Sequence, residues 1–368
     1  MILDKDSALH CAKVFEDYFG NFNRIDEYMK DQKLKSLGDL GDPLFPLEDD
    51  LFSDFTMNPK DMDFEIIEMS TESWENLLNI TSSHVNIAPV GRQIRLGVKE
   101  KNTGKIIGFL RLGSPVINMK PRNDMLGQVF TQQKEWGTRF NNSTMMGFVI
   151  VPAQPFGYNY LGGKLLAGIC TSHEIREIVN KKYKMNLCLF ETTSLYGSSK
   201  TVSQYDGMKP FIRYKGLTDS DFIPMMHGKE YDDLVVYVKD KVGDIVEADA
   251  SSKKLKITMK IIALTKSALK NDKDALVIFN NTIQKAKDLT EQKRYYISDY
   301  GFKNTVDFVN CKTDKLLPGE NYEKHHMKNI VEWWKNKATN RFETLKAEGR
   351  LKTELEVWTS GKDIQIIR

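Results

Sequence analysis

Two apolar, strand-like runs, residues 145–151 (MMGFVIV) and 185–191 (MNLCLFE), each end abruptly in small, polar and aromatic residues. A rigid sheet whose strands run out into such loops can fix side chains for chemistry and still expose them. Between the runs lies the turn PAQPFGYNYLGGK, which opens into a helical pattern. Free N–H groups at a helix start, with the helix dipole, make a ready anion site. Gly157, Gly162 and Gly163 would let backbone approach a phosphate with no Cβ in the way, and Lys164 would add charge. The same small residues would serve tight packing of helix on strand equally well. The GxxxxGK[ST] spacing of a Walker-type phosphate loop does not occur.

The second run delivers ETTSLYGSS, residues 191–199. Hydroxyls this dense can bond a phosphodiester, a base edge or a tetrahedral intermediate, or simply bond their own backbone in turns. Ser194 lacks a GxSxG context. Glu191 and Asp206 could pair for metal-dependent phosphodiester cleavage, but a third carboxylate or a Lys in a recognisable pattern is missing. The six histidines do not group as ligands, adjacent His325 and His326 read as surface, and no metal site is predicted. Four scattered cysteines form no CxxC pair; Cys170 and Cys188 sit in apolar contexts as buried free thiols, which fits a reducing, intracellular compartment.

The distribution of charge hints at a polyanion such as nucleic acid as one ligand class. Net charge is only +3, yet residues 1–65 hold 16 Asp/Glu against 7 Lys/Arg, while residues 252–300 hold 11 Lys/Arg against 5 Asp/Glu. An acidic head and a basic region facing a polyanion would explain this, as would ordinary solvated helix faces. A helix predicted over residues 329–347 carries Ile330, Trp334, Ala338, Phe342 and Leu345 on one stripe, which is core. Trp333, Lys337 and Arg341 form a neighbouring stripe that mixes an aromatic with cations, suited to phosphate contact and base stacking. Arg139 and Asn141 in WGTRFNNST, with Arg213, are further candidates for polar contact to phosphate or base.

Positioning these groups requires an α/β core. The pattern predicts a helix at residues 8–19, a strand at 64–69 and a helix from Ser70 or Thr71 to about Ile80. A hairpin follows, 93–99 with 105–112, turning through Asn and Gly. Residues 113–144 read as irregular. The 145–151 strand, a helix from about Asn159, a capping box at Thr171–Glu174, a helix at 175–183, and strands at 185–191 and 211–214 come next. From Asp232 onward helices dominate. Three regions result: an acidic N-terminal helix and extended arm (1–59), an α/β core (60–225) and a basic, mainly helical C-terminal region (226–368). The arm at 36–56 could dock onto a protein partner or lie on the fold itself. No apolar run approaches the ~20 residues of a membrane helix, and residues 1–19 lack the layout of a secretory signal.

This order of elements resembles the GCN5-related N-acyltransferase (GNAT) topology, a mixed sheet with flanking helices, here extended by a mostly α-helical C-terminal region. The resemblance implies that the strands on either side of the main helix splay apart to admit acyl-CoA. It implies a pyrophosphate-binding turn of the form Gln/Arg-x-x-Gly-x-Gly/Ala, for which the candidates are Gln154, Gly157 and Asn159, or, displaced, Gly162, Gly163 and Lys164. Asn159 stands where that pattern has Gly or Ala. It also implies a tyrosine acid, Tyr205, to protonate the departing thiolate, with Glu191 or Ser194 positioning the nucleophile. At the level of whole phrases, PFGYNYLGGKLLA, ETTSLYGSS, SQYDGMKPFIRYKGLT and NIVEWWKNKATNRF are similar to the Druantia A-type family. That likeness implies a phage or mobile-element protein, or an anti-phage defence protein, acting in a bacterial cytoplasm. Two functions are expected from the combination. One is transfer of a small group to nucleic acid by an acyltransferase-like DNA-modifying enzyme. The other is nucleic-acid binding or assembly on an acyltransferase fold that has lost its cofactor.

Overall fold

The computed structural model describes residues 2–23, 27–28, 30–31, 33–34, 49–82, 91–127, 134–194, 203–218, 225–226, 228–246, 253–288 and 293–357. Helix α1 (Lys5–Gly20) starts where the Asp4 carboxylate accepts the Ser7 N–H, satisfying an orphan donor of the first turn. Strand β1 (Phe64–Glu68) is followed by α2 (Thr71–Thr81), which Ser70 caps by accepting from the Ser73 N–H. The hairpin β2 (Gln93–Glu100) and β3 (Lys105–Gly113) forms as its turn residues dictate. Residues 113–144, expected to be irregular, instead contain α3 (Lys120–Leu126) and α4 (Lys134–Asn141). Pro121 at the first turn and Gly127 in the left-handed conformation just past the end bound α3.

Strand β4 (Thr144–Pro152) leads through the single turn α5 (Phe156–Asn159) to the main helix α6 (Gly162–Cys170). Leu161 is left-handed (φ 55°), which breaks the helix expected to run on from Asn159. Ser172, rather than Thr171, caps α7 (His173–Tyr183) by accepting the Ile175 N–H. Then follow β5 (Leu189–Thr193), β6 (Arg213–Leu217), α8 (Lys229–Val242), α9 (Lys253–Ala268) and α10 (Lys273–Asp288). Strand β7 (Arg294–Ser298) interrupts the region expected to be helical, before α11 (Thr305–Val309) and α12 (Met327–Ala347).

The fold is mixed α/β. Seven strands form one sheet in the order β1-β2-β3-β4-β5-β7-β6, antiparallel throughout except for the β4–β5 pair. One face carries the large core built on α6 and α12, where Phe64, Phe156, Tyr160 and Trp334 pack ring to ring. The Trp334 indole N–H donates to the Tyr160 carbonyl at 2.8 Å. The other face carries two smaller clusters, around Trp74 of α2 and around Met146, Leu189 and Tyr295.

By packing, the chain divides into two compact units, each built from two stretches: residues 1–38 with 219–291, and residues 39–218 with 292–368. The expected boundaries after residues 59 and 225 cut across both, because α1 shares a core with α8–α10 and because β7 completes the sheet. The first unit is a helical bundle around Phe15, Phe19, Leu234, Ile261 and Phe279. Of the acidic arm, residues 36–48 lie outside the described residues. Its remainder lies on the fold: Leu51 bridges Ile106, the Phe52 N–H donates to the Ile106 carbonyl at 2.9 Å, and Phe52 and Phe55 are buried.

Candidate functional site

Consecutive residues of a strand point to opposite faces, so Tyr295 and Tyr296 of β7 divide the expected catalytic residues between the two sides of the sheet. On one side the Tyr295 hydroxyl donates to Glu191 Oε2 at 2.7 Å, and Arg122 Nη1 reaches both oxygens of Glu191 at 3.0 and 3.2 Å. Arg122 and Glu191 are wholly buried, and the guanidinium also donates to the carbonyls of Val116 and Ile117 and lies over the Phe140 ring. Burial pushes the Glu191 carboxyl above its ordinary range even against the pull of Arg122. On the other side Tyr205 is buried edge-on to Tyr296, at 5.2 Å between ring centres. Burial raises its phenol above the usual value, away from a role as proton donor near neutrality. Ser194 is spent on the sheet: its N–H donates to the Arg294 carbonyl, and its Oγ accepts the Arg294 N–H at 3.2 Å. Tyr205, Glu191 and Ser194 therefore do not converge on one reacting atom.

Strands β4 and β5 pair only from Thr144↔Leu189 to Gly147↔Thr192, while β4 continues along β3 to Pro152. The turn beyond the parting is packed by the chain's own residues. A Cβ on Gly157 would collide with the Gln154 amide and with Pro152, and one on Gly162 with Phe156 and Pro152. Gln154 accepts the Glu356 N–H through its carbonyl, and the buried Asn159 clasps Lys352 by two hydrogen bonds of 2.7 and 3.2 Å. Both positions thus hold the segment that follows α12. Gln204 Oε1 would lie 2.5 Å from a Cβ on Gly163, and Lys164 Nζ donates to the carbonyls of Gln204 and Asp206. As they stand, Gln154, Gly157, Asn159, Gly162 and Gly163 do not fit an acyl-CoA pyrophosphate. The close neighbours of Gly157, Gly162 and Gly163 and the two hydrogen bonds of the Asn159 side chain turn this surface to internal packing.

What gathers around this turn is cationic and aromatic. Burial, and then the neighbouring Lys337 ammonium, hold the Lys164 pKa below its usual value. Lys337 lies over the half-buried Trp333 at 5.5 Å, and Trp333 meets Phe211 edge-on. Arg341 lies 4.8 Å over the Tyr158 ring, Lys352 lies 5.4 Å from it, and Arg350 donates to the Tyr158 hydroxyl at 3.1 Å. Glu348 and Glu356 pair with Arg350 and Lys352, whereas among the described residues Arg341 binds only the Tyr158 carbonyl and ring. Trp333, Lys337 and Arg341 are thus brought together, as their helical spacing implies. Tyr158, Arg350 and Lys352 complete the surface, and sequence reasoning missed them because Tyr158 lies about 190 residues from both of its later partners.

The remaining expected contacts lie elsewhere. Arg139 pairs with Asp314 and covers Phe308 at 4.7 Å, on the wall of a groove of about 790 Å³ that Thr138, Asn142, Met185 and Asn186 also line. Asn141 is exposed, and its carbonyl accepts from Arg92. Arg213 pairs with Asp299 of the same sheet edge. The surface assignment of His325 is corrected: it is fully buried between Phe211 and Tyr300, with Nδ1 2.7 Å from the Thr171 carbonyl. Burial depresses its pKa to about 4.

Comparison with known proteins bears on residues 26–207, which match the family model described as Druantia protein DruA. A curated Druantia protein DruA of Escherichia coli (strain UMEA 4076-1) is 27% identical over 179 residues. The aligned stretch covers 44% of this chain and 41% of that protein, so the chain spans about two-fifths of the length of the curated relative it matches. No solved structure matches the chain. Among the described residues no helix is long and apolar enough to cross a membrane.

Proposed function

We propose, from the premise that residues 26–207 are a DruA-family region, that this chain is a component of a phage-defence system that works by gripping nucleic acid. The single observation that carries this is the surface of Lys164, Lys337 and Arg341 around the rings of Trp333 and Tyr158. Cations that follow a phosphate backbone, next to aromatic faces on which bases stack, are the recurring chemistry of single-strand binding. Like charges at Lys164 and Lys337 disfavour one another, and a phosphate between them relieves that repulsion. Non-catalytic binding is preferred to acyl transfer because Glu191 and Tyr205 face opposite sides of the sheet and Gln154 and Asn159 are engaged with residues 352–356.

Fluorescence anisotropy of a labelled 20-nucleotide single strand, titrated at several salt concentrations, tests this. The expected result is binding that weakens steeply with salt, together with a loss of about 1–3 kcal/mol on Trp333→Ala, the range for one stacked base. Binding indifferent to salt and to Trp333→Ala refutes the proposal. Acyl transfer is checked by mass spectrometry of nucleosides from DNA co-expressed with the protein, where unmodified nucleosides are expected.

A further inference from the structure

Helix α9 sets a second basic surface on the helical unit, apart from every residue considered so far. Residues 253–270, KKLKITMKIIALTKSALK, hold six lysines and no carboxylate. Ile257, Ile261, Leu264 and Leu269 are buried in the bundle core, which fixes the opposite side of the segment towards solvent. That side runs through Lys256, Lys260, Ala263, Ser267 and Lys270, all exposed, at alternating spacings of four and three. Lys253 is exposed at the start of the same helix. Lys254 instead folds back over the Tyr231 ring at 4.3 Å. Lys256, Lys260 and Lys270 form no ion pair among the described residues, in contrast to Lys5, Lys13 and Lys239 of the same unit.

We propose that this face of α9 binds the phosphate backbone of duplex DNA. Lys256 and Lys260 are about 6 Å apart along the axis at 1.5 Å per residue, so each can meet a separate phosphate. Ala263 and Ser267 leave the middle of the face low, and a rod-like polyanion can lie close to the helix there. The exposed apolar residues beside it, Leu255 and Met259, are 38% and 48% accessible. Two such side chains give too small an apolar face to seat in a bilayer, where amphipathic binders bury a whole helical stripe. Charge without apolar breadth favours a nucleic acid. The inference rests on the nucleic-acid reading above but uses different residues, in the other compact unit.

The test is binding of the full chain to a fluorescein-labelled 30-base-pair duplex, read by anisotropy from 50 to 300 mM KCl. Three proteins are compared: the unaltered chain, Lys256→Gln/Lys260→Gln, and Trp333→Ala/Arg341→Gln. Circular dichroism confirms that both variants remain folded. Each lost phosphate contact should flatten the slope of log K against log salt by about 0.9. The lysine pair should therefore flatten it by about 1.8, equivalent to a loss of about 60-fold at 0.1 M for an unchanged 1 M intercept. An unchanged slope in that variant overturns the inference, and it leaves the Trp333 surface standing if the third protein has lost affinity. The reverse pattern supports α9 and shows that the Trp333 surface takes no part in duplex binding; the single-strand titration alone decides its stacking role. A chain that ignores duplex DNA but binds vesicles of 30% anionic lipid through Lys256 and Lys260 also overturns it.

Discussion

Replacing Arg122 by Met removes, among the described residues, the only cation paired with the buried Glu191 of β5. Both side chains are fully buried, so solvent cannot take over the role of the lost partner. Breaking a buried pair from one side typically destabilises by about 3–5 kcal/mol, because the remaining charge is left uncompensated. The carbonyls of Val116 and Ile117 lose their donor as well, which puts Arg122→Met at the upper end of that range. The sign of the pH dependence follows. Without Arg122, the folded-state pKa of Glu191 rises further above its unfolded value, so the folded state retains a proton that the unfolded chain has released. Stability then falls as pH rises above about 4.5, and the deficit of Arg122→Met should be larger at pH 8 than at pH 5. All five tryptophans lie in the unit that holds the sheet, so tryptophan fluorescence in a urea titration reports that unit alone. A double variant, Arg122→Met/Glu191→Leu, should recover most of the loss, since a buried pair exchanged for apolar residues is often near neutral. A loss below about 1 kcal/mol for Arg122→Met, or no recovery in the double variant, refutes this account of the pair.

Other outcomes follow from the same geometry. His325 is buried and neutral with its pKa held at about 4, against about 6.5 in the unfolded chain. The unfolded state gains the proton first as pH falls, so up to about 3 kcal/mol of stability is lost between pH 6.5 and 4. His325→Phe should flatten that part of a stability–pH profile measured by urea titration. Gly157→Ala forces a methyl against the buried Gln154 and the rigid Pro152 and should cost about 1–3 kcal/mol. Gly163→Ala meets only the end of the exposed Gln204 side chain and should be neutral or slightly stabilising, as helix propensity favours Ala. Thermal melts of the two glycine variants side by side check the contrast. Trp334→Ala empties the ring cluster of Phe64, Phe156 and Tyr160 and should destabilise by about 3–5 kcal/mol in the same urea assay.

Local patterns made much of the fold legible. Ser70 with its following helix, the Asn/Gly hairpin and the core stripe of α12 each obey a short-range rule, and each stands within a residue or two of its expected place. Strand β7 was hidden because YYIS lies between a lysine-rich helix and polar residues, and what recruits it is a slot between β5 and β6 that no local window reveals. The division into units was hidden for the same reason: α1 pairs with helices some 200 residues away. At the site, the glycines were recognised but their use was not. Small residues beside a helix start look the same in sequence whether a phosphate or a neighbouring glutamine fills the space. The Trp333, Lys337 and Arg341 stripe was readable from helical spacing, whereas Tyr158 joined it only through tertiary contact.

The pairing of residues 1–38 with residues 219–291 has a consequence for how the polypeptide emerges from the ribosome. Helix α1 leaves the tunnel with Phe15, Tyr18 and Phe19 on one side, and the helices that cover them are translated about 200 residues later. For that interval its apolar side is open to water, to chaperones and to other nascent chains. Strand β6 likewise waits for β7 until the intervening helices have been made, so the sheet closes late in synthesis. Slow or interrupted translation between residues 20 and 229 should therefore be where this protein is most prone to aggregate.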